Sequence, residues 1–86
     1  MNRTLMLLMM EHEKAVVPLK DIHAQYFGID TLAKANQRAR AHELPVPAFR
    51  LGSNKSDWLV RLEDLAFHID KEANEQKQIW EDMKRA

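Results

Sequence analysis

Leu5-Met6-Leu7-Leu8-Met9-Met10 is the longest unbroken apolar run of the chain, bracketed by Arg3-Thr4 and by Glu11-His12-Glu13-Lys14. Leu and Met are strong helix formers, and Asn2 or Thr4 can cap a helix over Arg3–Glu11. So short a run does not set a period, and a buried strand fits it as well. Ala15-Val16-Val17 favours strand and ends at Pro18, which suits the first turn of a following helix. Leu19, Ile22 and Tyr26 then recur at the i, i+3, i+7 spacing of one helix face. Gly28 supplies the left-handed residue that a helix C-terminus favours, and Asp30 an N-cap for the next helix. Two helices joined by so tight a turn cross steeply, as in a helix-turn-helix unit.

The second of these helices is predicted over Thr31–Glu43. Leu32, Ala35 and Ala39 share its inner face, and the small side chains let it approach its neighbour closely. Thr31, Lys34, Gln37, Arg38 and Ala41 lie on the outer face, where basic and amide side chains stand without an acid. Leu44-Pro45-Val46-Pro47 then forbids helix, because each proline drives its predecessor into extended geometry. Ala48–Leu51 and Trp58–Leu62 are strand-favouring runs around Gly52-Ser53-Asn54-Lys55-Ser56-Asp57, a cluster of turn formers, and predict a hairpin. Alternation sets Phe49 and Leu51 opposite Arg50, and Trp58, Val60 and Leu62 opposite Arg61. A hairpin in this place is a wing, with Arg50 and Arg61 on its solvent side and Lys55 at its tip.

The last segment opens at Glu63-Asp64, acids suited to a helix N-terminus, and runs without Gly or Pro to Lys84. Leu65, Ile69, Ala73, Gln76, Trp80 and Met83 form a seam longer than a body of this size can cover. Its first half should pack on the domain, and its second half is free for a partner helix.

Eighty-six residues, 45% hydrophobic and 30% charged, predict one globular domain, and the absence of cysteine excludes a thiol nucleophile, a disulfide framework and a cysteine zinc site. The apolar run falls far short of the roughly 20 residues that cross a bilayer, and no small-residue cleavage site follows it, so a cytoplasmic protein without membrane contact is expected. The net charge is zero, but it is segregated. Residues 34–61 carry six Lys and Arg against Glu43 and Asp57, a net of +4, between flanks of −1 and −3. A polyanion responds to that local field rather than to the total.

His12, His23, His42 and His68 fall in four different elements without recognised ligand spacing, so no metal or other cofactor is expected. No nucleophile elbow, phosphate-binding glycine loop or isolated acid pair points to catalysis, and Glu63-Asp64 is better explained by the helix start it occupies. Lys34, Gln37 and Arg38 bear the groups that bond guanine and adenine edges in a DNA major groove. Thr31 can meet a phosphate or a thymine methyl at the helix N-terminus. Arg50, Lys55 and Arg61 suit the backbone or the adjacent minor groove. Tyr26, Phe27, Phe49, Trp58 and Phe67 sit at core-compatible positions, whereas Trp80 stands among Gln78, Glu81 and Asp82 and suits either the body or a dimer contact.

An ordered series of short matches extends this reading over nearly the whole chain. It comprises Thr4-Leu5 with Leu7-Leu8-Met9, Val17-Pro18-Leu19, Tyr26-Phe27-Gly28 and Ala35-Asn36. Leu44-Pro45-Val46-Pro47 with Phe49-Arg50-Leu51 follows, then Trp58-Leu59-Val60 and Glu63-Asp64-Leu65-Ala66 with Ile69-Asp70. In these residues the chain resembles the pyocin activator proteins, the PrtN-type family of small prophage-derived transcription activators. The resemblance implies a sequence-specific DNA-binding protein that activates bacteriocin or phage-tail-like genes from repeated boxes upstream of them. Gln37 stands where a basic residue is expected, which bears on the target sequence.

The expected architecture is therefore α+β: an excisionase- or MerR-like winged helix-turn-helix domain over residues 1–86. The helix-turn-helix is expected at 18–43, the wing at 48–62 and a long C-terminal helix at 64–84. The expected partners are double-stranded DNA, a second copy of the chain and RNA polymerase. A phage excisionase or Cox-type repressor is the nearest rival, and a protein-binding adaptor acting through the C-terminal helix is the second.

Overall fold

Asn2 opens the first helix: its side-chain oxygen accepts a hydrogen bond from the Leu5 amide at 2.8 Å. The computed structural model describes residues 2–85, and Arg3–His12 is α1, so the Leu/Met run is helical rather than extended. Val16–Pro18 is β1, Leu19–Phe27 α2, Leu32–Arg40 α3, Leu59–Arg61 β2 and Leu62–Arg85 α4. Among the described residues, four helices and a two-stranded antiparallel sheet make the α+β architecture.

Pro18 ends β1 and caps α2, its missing N–H costing nothing at a helix start. Gly28 closes α2 at φ 65°, the left-handed geometry expected of it. The His23 carbonyl accepts from the Ile29 amide at 3.1 Å, while the His23 ring lies 2.6 Å from the Ile29 carbonyl through Nδ1. For that contact to be a hydrogen bond Nδ1 must carry the proton and donate. Ile29 in the turn between α2 and α3 is thus tied to His23 of α2 twice, its amide to the backbone carbonyl and its carbonyl to the ring.

Three expectations about α3 are corrected. Thr31, not Asp30, is its N-cap, its hydroxyl accepting from the Lys34 amide at 3.2 Å. Leu32, set on the inner face by the helical wheel, is 37% exposed, whereas Ala35 and Ala39 are buried as expected. The helix also ends at Arg40 rather than Glu43. His42 adopts φ 58°, its amide bonds the Ala39 carbonyl at 3.2 Å, and the Glu43 amide bonds the Arg38 carbonyl at 2.9 Å. These paired bonds are a Schellman closure, which stops the helix before Pro45 can.

The hairpin expected over residues 48–62 forms a single bridge, and the longer ladder lies elsewhere. The ladder joins β2 to β1, with Val16 opposite Arg61, Val17 opposite Val60 and Pro18 opposite Leu59. Phe49 contributes one bridge to the other side of Leu59, its amide and carbonyl exchanging bonds of 3.0 and 2.7 Å. Val16 and Val17 are β-branched and span the partner fully, whereas the other run turns away at Gly52, φ 97°, with Leu51 66% exposed. The inward phase of the second strand is as expected: Val60 and Leu62 are buried and Arg61 is exposed.

Val17, Leu19, Ile22, Val60, Leu62 and Leu65 are the largest fully buried side chains, so the core lies where β1, α2, β2 and the start of α4 meet. Leu8 from α1, Ile29 from the turn and Val46 from the proline segment complete it. Asp70 of α4 accepts from Thr4 Oγ1 at 2.6 Å and from Asn2 Nδ2 at 2.7 Å, which fixes the start of α1 against α4. Phe67, expected in the core, is 71% exposed, because it lies off the buried stripe of Leu62, Leu65 and Ala66. Beyond Asp70, α4 is solvent-exposed except at Glu81, and it draws the molecule out to 52 × 27 × 17 Å. Trp80 and Met83 are 61% and 73% exposed, so Trp80 does not cover the body. Among the described residues no helix is long and apolar enough to cross a membrane.

Candidate nucleic-acid interface

The inner and outer faces of α3 separate as its sequence requires. Ala35 and Ala39 sink against α2, and their short side chains leave Lys34, Gln37, Arg38 and Arg40 exposed. Lys34, Gln37 and Arg38 line one shallow cleft together with Ala41 and Glu43. The three expected readers of α3 therefore come together. The face is not free of acid, however, because the Schellman closure brings Glu43 to its edge.

Lys34 is further tempered by Asp30: Nζ stands 3.2 Å from Oδ1, both groups exposed. The hydrogen bond from Lys34, reinforced by its charge, holds the Asp30 carboxyl below its ordinary value of 3.8. Thr31 spends its hydroxyl oxygen on the helix cap and keeps only its proton to offer a phosphate.

Arg40, one of the six cations of residues 34–61, joins the interface although the outer-face pattern of α3 does not include it. It lies between the outer face and the loop that follows, and it lines a second cleft with Arg50, Asn54 and Trp58. The signal was present in Arg38-Ala39-Arg40: two residues on from Arg38, the helix turns its next arginine toward the loop. The guanidinium of Arg50 lies 4.2 Å over the centre of the Trp58 ring, and its Nη1 donates to the Asn54 carbonyl. Arg50 is thereby half-buried and fixed in orientation, rather than waving from a hairpin face.

Lys55 is exposed in the turn closed by the bond from the Ser56 amide to the Ser53 carbonyl at 3.1 Å. Asp57, the acid nearest that turn in sequence, pairs with Lys20 of α2 at 3.4 Å and so does not engage Lys55. Arg61 is placed differently. It pairs with Glu63 and borders a cleft formed with Leu5, Met9, Ala15, Val16 and Phe49, on the α1 side of the sheet. Of the seven expected contact residues, Thr31, Lys34, Gln37 and Arg38 cluster on α3, Arg50 and Lys55 belong to the loop, and Arg61 stands apart from both. Among the described residues no group of three or more His, Asp or Glu is arranged to hold a metal ion.

The sequence model of a protein family described as Pyocin activator protein PrtN matches residues 4–75, a span that contains every residue of both clefts. No curated protein and no solved structure matches the chain.

Proposed function

The chain belongs to the pyocin activator protein family, and from that premise we propose that it binds double-stranded DNA sequence-specifically and activates transcription of bacteriocin or prophage genes in the bacterial cytoplasm. In this reading α2, its turn and α3 act as the helix-turn-helix, and the loop after Phe49 acts as the wing. Gln37 and Arg38 face base edges with Lys34, which exchanges Asp30 for DNA, while Arg40, Arg50 and Lys55 hold the backbone.

The observation that carries the reading is the exposed Lys34, Gln37, Arg38 and Arg40 on a helix whose opposite face, Ala35 and Ala39, is buried. The exposed seam of Ile79, Trp80 and Met83 supports a homodimer joined through α4, the usual route to a pair of half-sites. RNA polymerase is the partner through which an activator of this kind acts.

Selection of bound duplexes from a random pool tests the proposal. Enrichment of a repeated box is the expected result; a pool that stays random, with no duplex retained, sinks it. The same exposed seam also suits a protein-binding adaptor, whose activity would vanish on deletion of residues from Gln76 onward. A reporter fused behind the selected boxes separates an activator from an excisionase or Cox-type repressor.

A further inference from the structure

Among the described residues each ion pair ties up a cation at the margin of the basic region: Lys20 with Asp57, Lys34 with Asp30, Arg61 with Glu63. The cleft between the end of α3 and the 50–58 loop differs. Arg40 and Arg50 line it with Asn54 and Trp58, and no carboxylate is among its lining residues. Arg50 is oriented there by an aromatic face and a backbone carbonyl, neither of which neutralises its charge.

Two donors carried by residues that line the cleft lack acceptors. Arg50 Nε and Trp58 Nε1 are both shut off from solvent, and neither has a hydrogen-bond partner. A buried unmatched donor costs about 1–3 kcal/mol, so an acceptor delivered to this cleft gains what the protein alone forgoes. The acceptor must be anionic to suit two guanidinium groups, and it must carry several oxygens to meet donors from different directions. A phosphate group has both properties.

We propose that the cleft formed by Arg40, Arg50, Asn54 and Trp58 is a binding site for one phosphate group, taken as a phosphodiester of the DNA backbone where α3 and the loop meet the duplex. This rests on the DNA-binding reading. Arg50 slides from the indole face toward the phosphate, Arg40 closes on it from α3, and the uncovered Trp58 Nε1–H donates to a phosphate oxygen. The tryptophan thus serves as a hydrogen-bond donor, not as a stacking surface for bases.

The indole N–H resonances of the nitrogen-15-labelled full chain test this, because the only other tryptophan, Trp80, sits far along the exposed part of α4 and supplies a reference. Added duplex DNA should move the Trp58 resonance downfield. Arg40→Gln, a surface change that leaves the fold intact, should diminish that movement and flatten the salt dependence of binding by about one unit. Arg50→Lys keeps the charge but loses the planar fork, and should likewise weaken the shift. A duplex that is retained in a mobility-shift gel while Trp58 stays unmoved overturns the site and leaves the DNA reading standing. If no duplex is retained, the functional reading fails by itself and inorganic phosphate decides: a Trp58 shift lost in Arg40→Gln upholds the site with free phosphate as its ligand, and an unmoved resonance overturns it.

Discussion

Lys34 Nζ lies 3.2 Å from Asp30 Oδ1, one helical turn back across the start of α3. The pair sets a carboxylate beside a side chain proposed to approach DNA, so binding must first break it. Asp30→Asn should raise duplex affinity and steepen the log K against log salt slope by about 0.9, the contribution of one freed cation. The Asp30 carboxyl is held below its usual 3.8 chiefly by the Lys34 hydrogen bond. A depressed carboxyl stabilises the fold above its unfolded value and ceases to do so as pH falls through the lower folded one. The acid limb of the stability curve, read by circular dichroism below pH 3.8, should therefore be shallower in Asp30→Asn.

Arg38 and Lys55 should fail differently. Arg38→Ala should cost about 1–3 kcal/mol of specific binding and relax one position of the selected sequence. Lys55→Ala should weaken all duplexes alike and flatten the salt slope by about one unit. About four neutralised phosphates per subunit give the parent protein a slope of about −3.6. Fluorescence anisotropy at three salt concentrations distinguishes the two behaviours, and equal loss of specificity in both variants contradicts the assignment.

Thr31 acts first as a cap. Thr31→Ala should destabilise the protein by about 1 kcal/mol, lowering Tm by about 4–8 °C in a domain of this size, and Thr31→Ser should restore most of the loss. Calorimetry of the two variants checks it. A Thr31→Ala protein as stable as the parent would show that the bond to the Lys34 amide carries no weight.

Residues beyond Asp70 make few demands on the body. A chain ending before Gln76 should lose only the helical far-ultraviolet signal of the residues removed and melt within a few degrees of the parent, because Leu62, Leu65 and Ala66, the buried part of α4, are retained. Sedimentation should then find a monomer, and duplex binding should lose its cooperativity.

The elements that were legible in the sequence are those governed by neighbours along the chain. Pro18 and Gly28 bracket α2, the Val60 and Leu62 alternation set the inward face of β2, and the Leu65 to Ile69 seam marked α4. What escaped depends on distant chain. Val16 and Val17 announce a strand but not that its partner is Leu59–Arg61, and the turn formers between Leu51 and Trp58 offered a nearer partner. Alternation alone sets Arg61 on the wing face, whereas the ladder with Val16 turns it toward α1 and Glu63. Glu43 escaped because the end of α3 is set by backbone bonds of Ala39 and Arg38, which carry no side-chain signature.

The ladder between β1 and β2 has a kinetic consequence. The Leu19 amide bonds the Trp58 carbonyl at 2.8 Å and the Leu62 amide bonds the Ala15 carbonyl at 2.9 Å, so the ladder is fastened at both ends. Everything from α2 through the loop is a single excursion of chain whose two feet meet there, and α1 and α4 are left outside it. Closing so long an excursion loses entropy before any contact repays it, which places the ladder late in folding. Mutations at Val17 or Val60 should accordingly quicken unfolding more than they slow refolding, and the DNA-facing excursion should become resistant to protease only when its feet are joined.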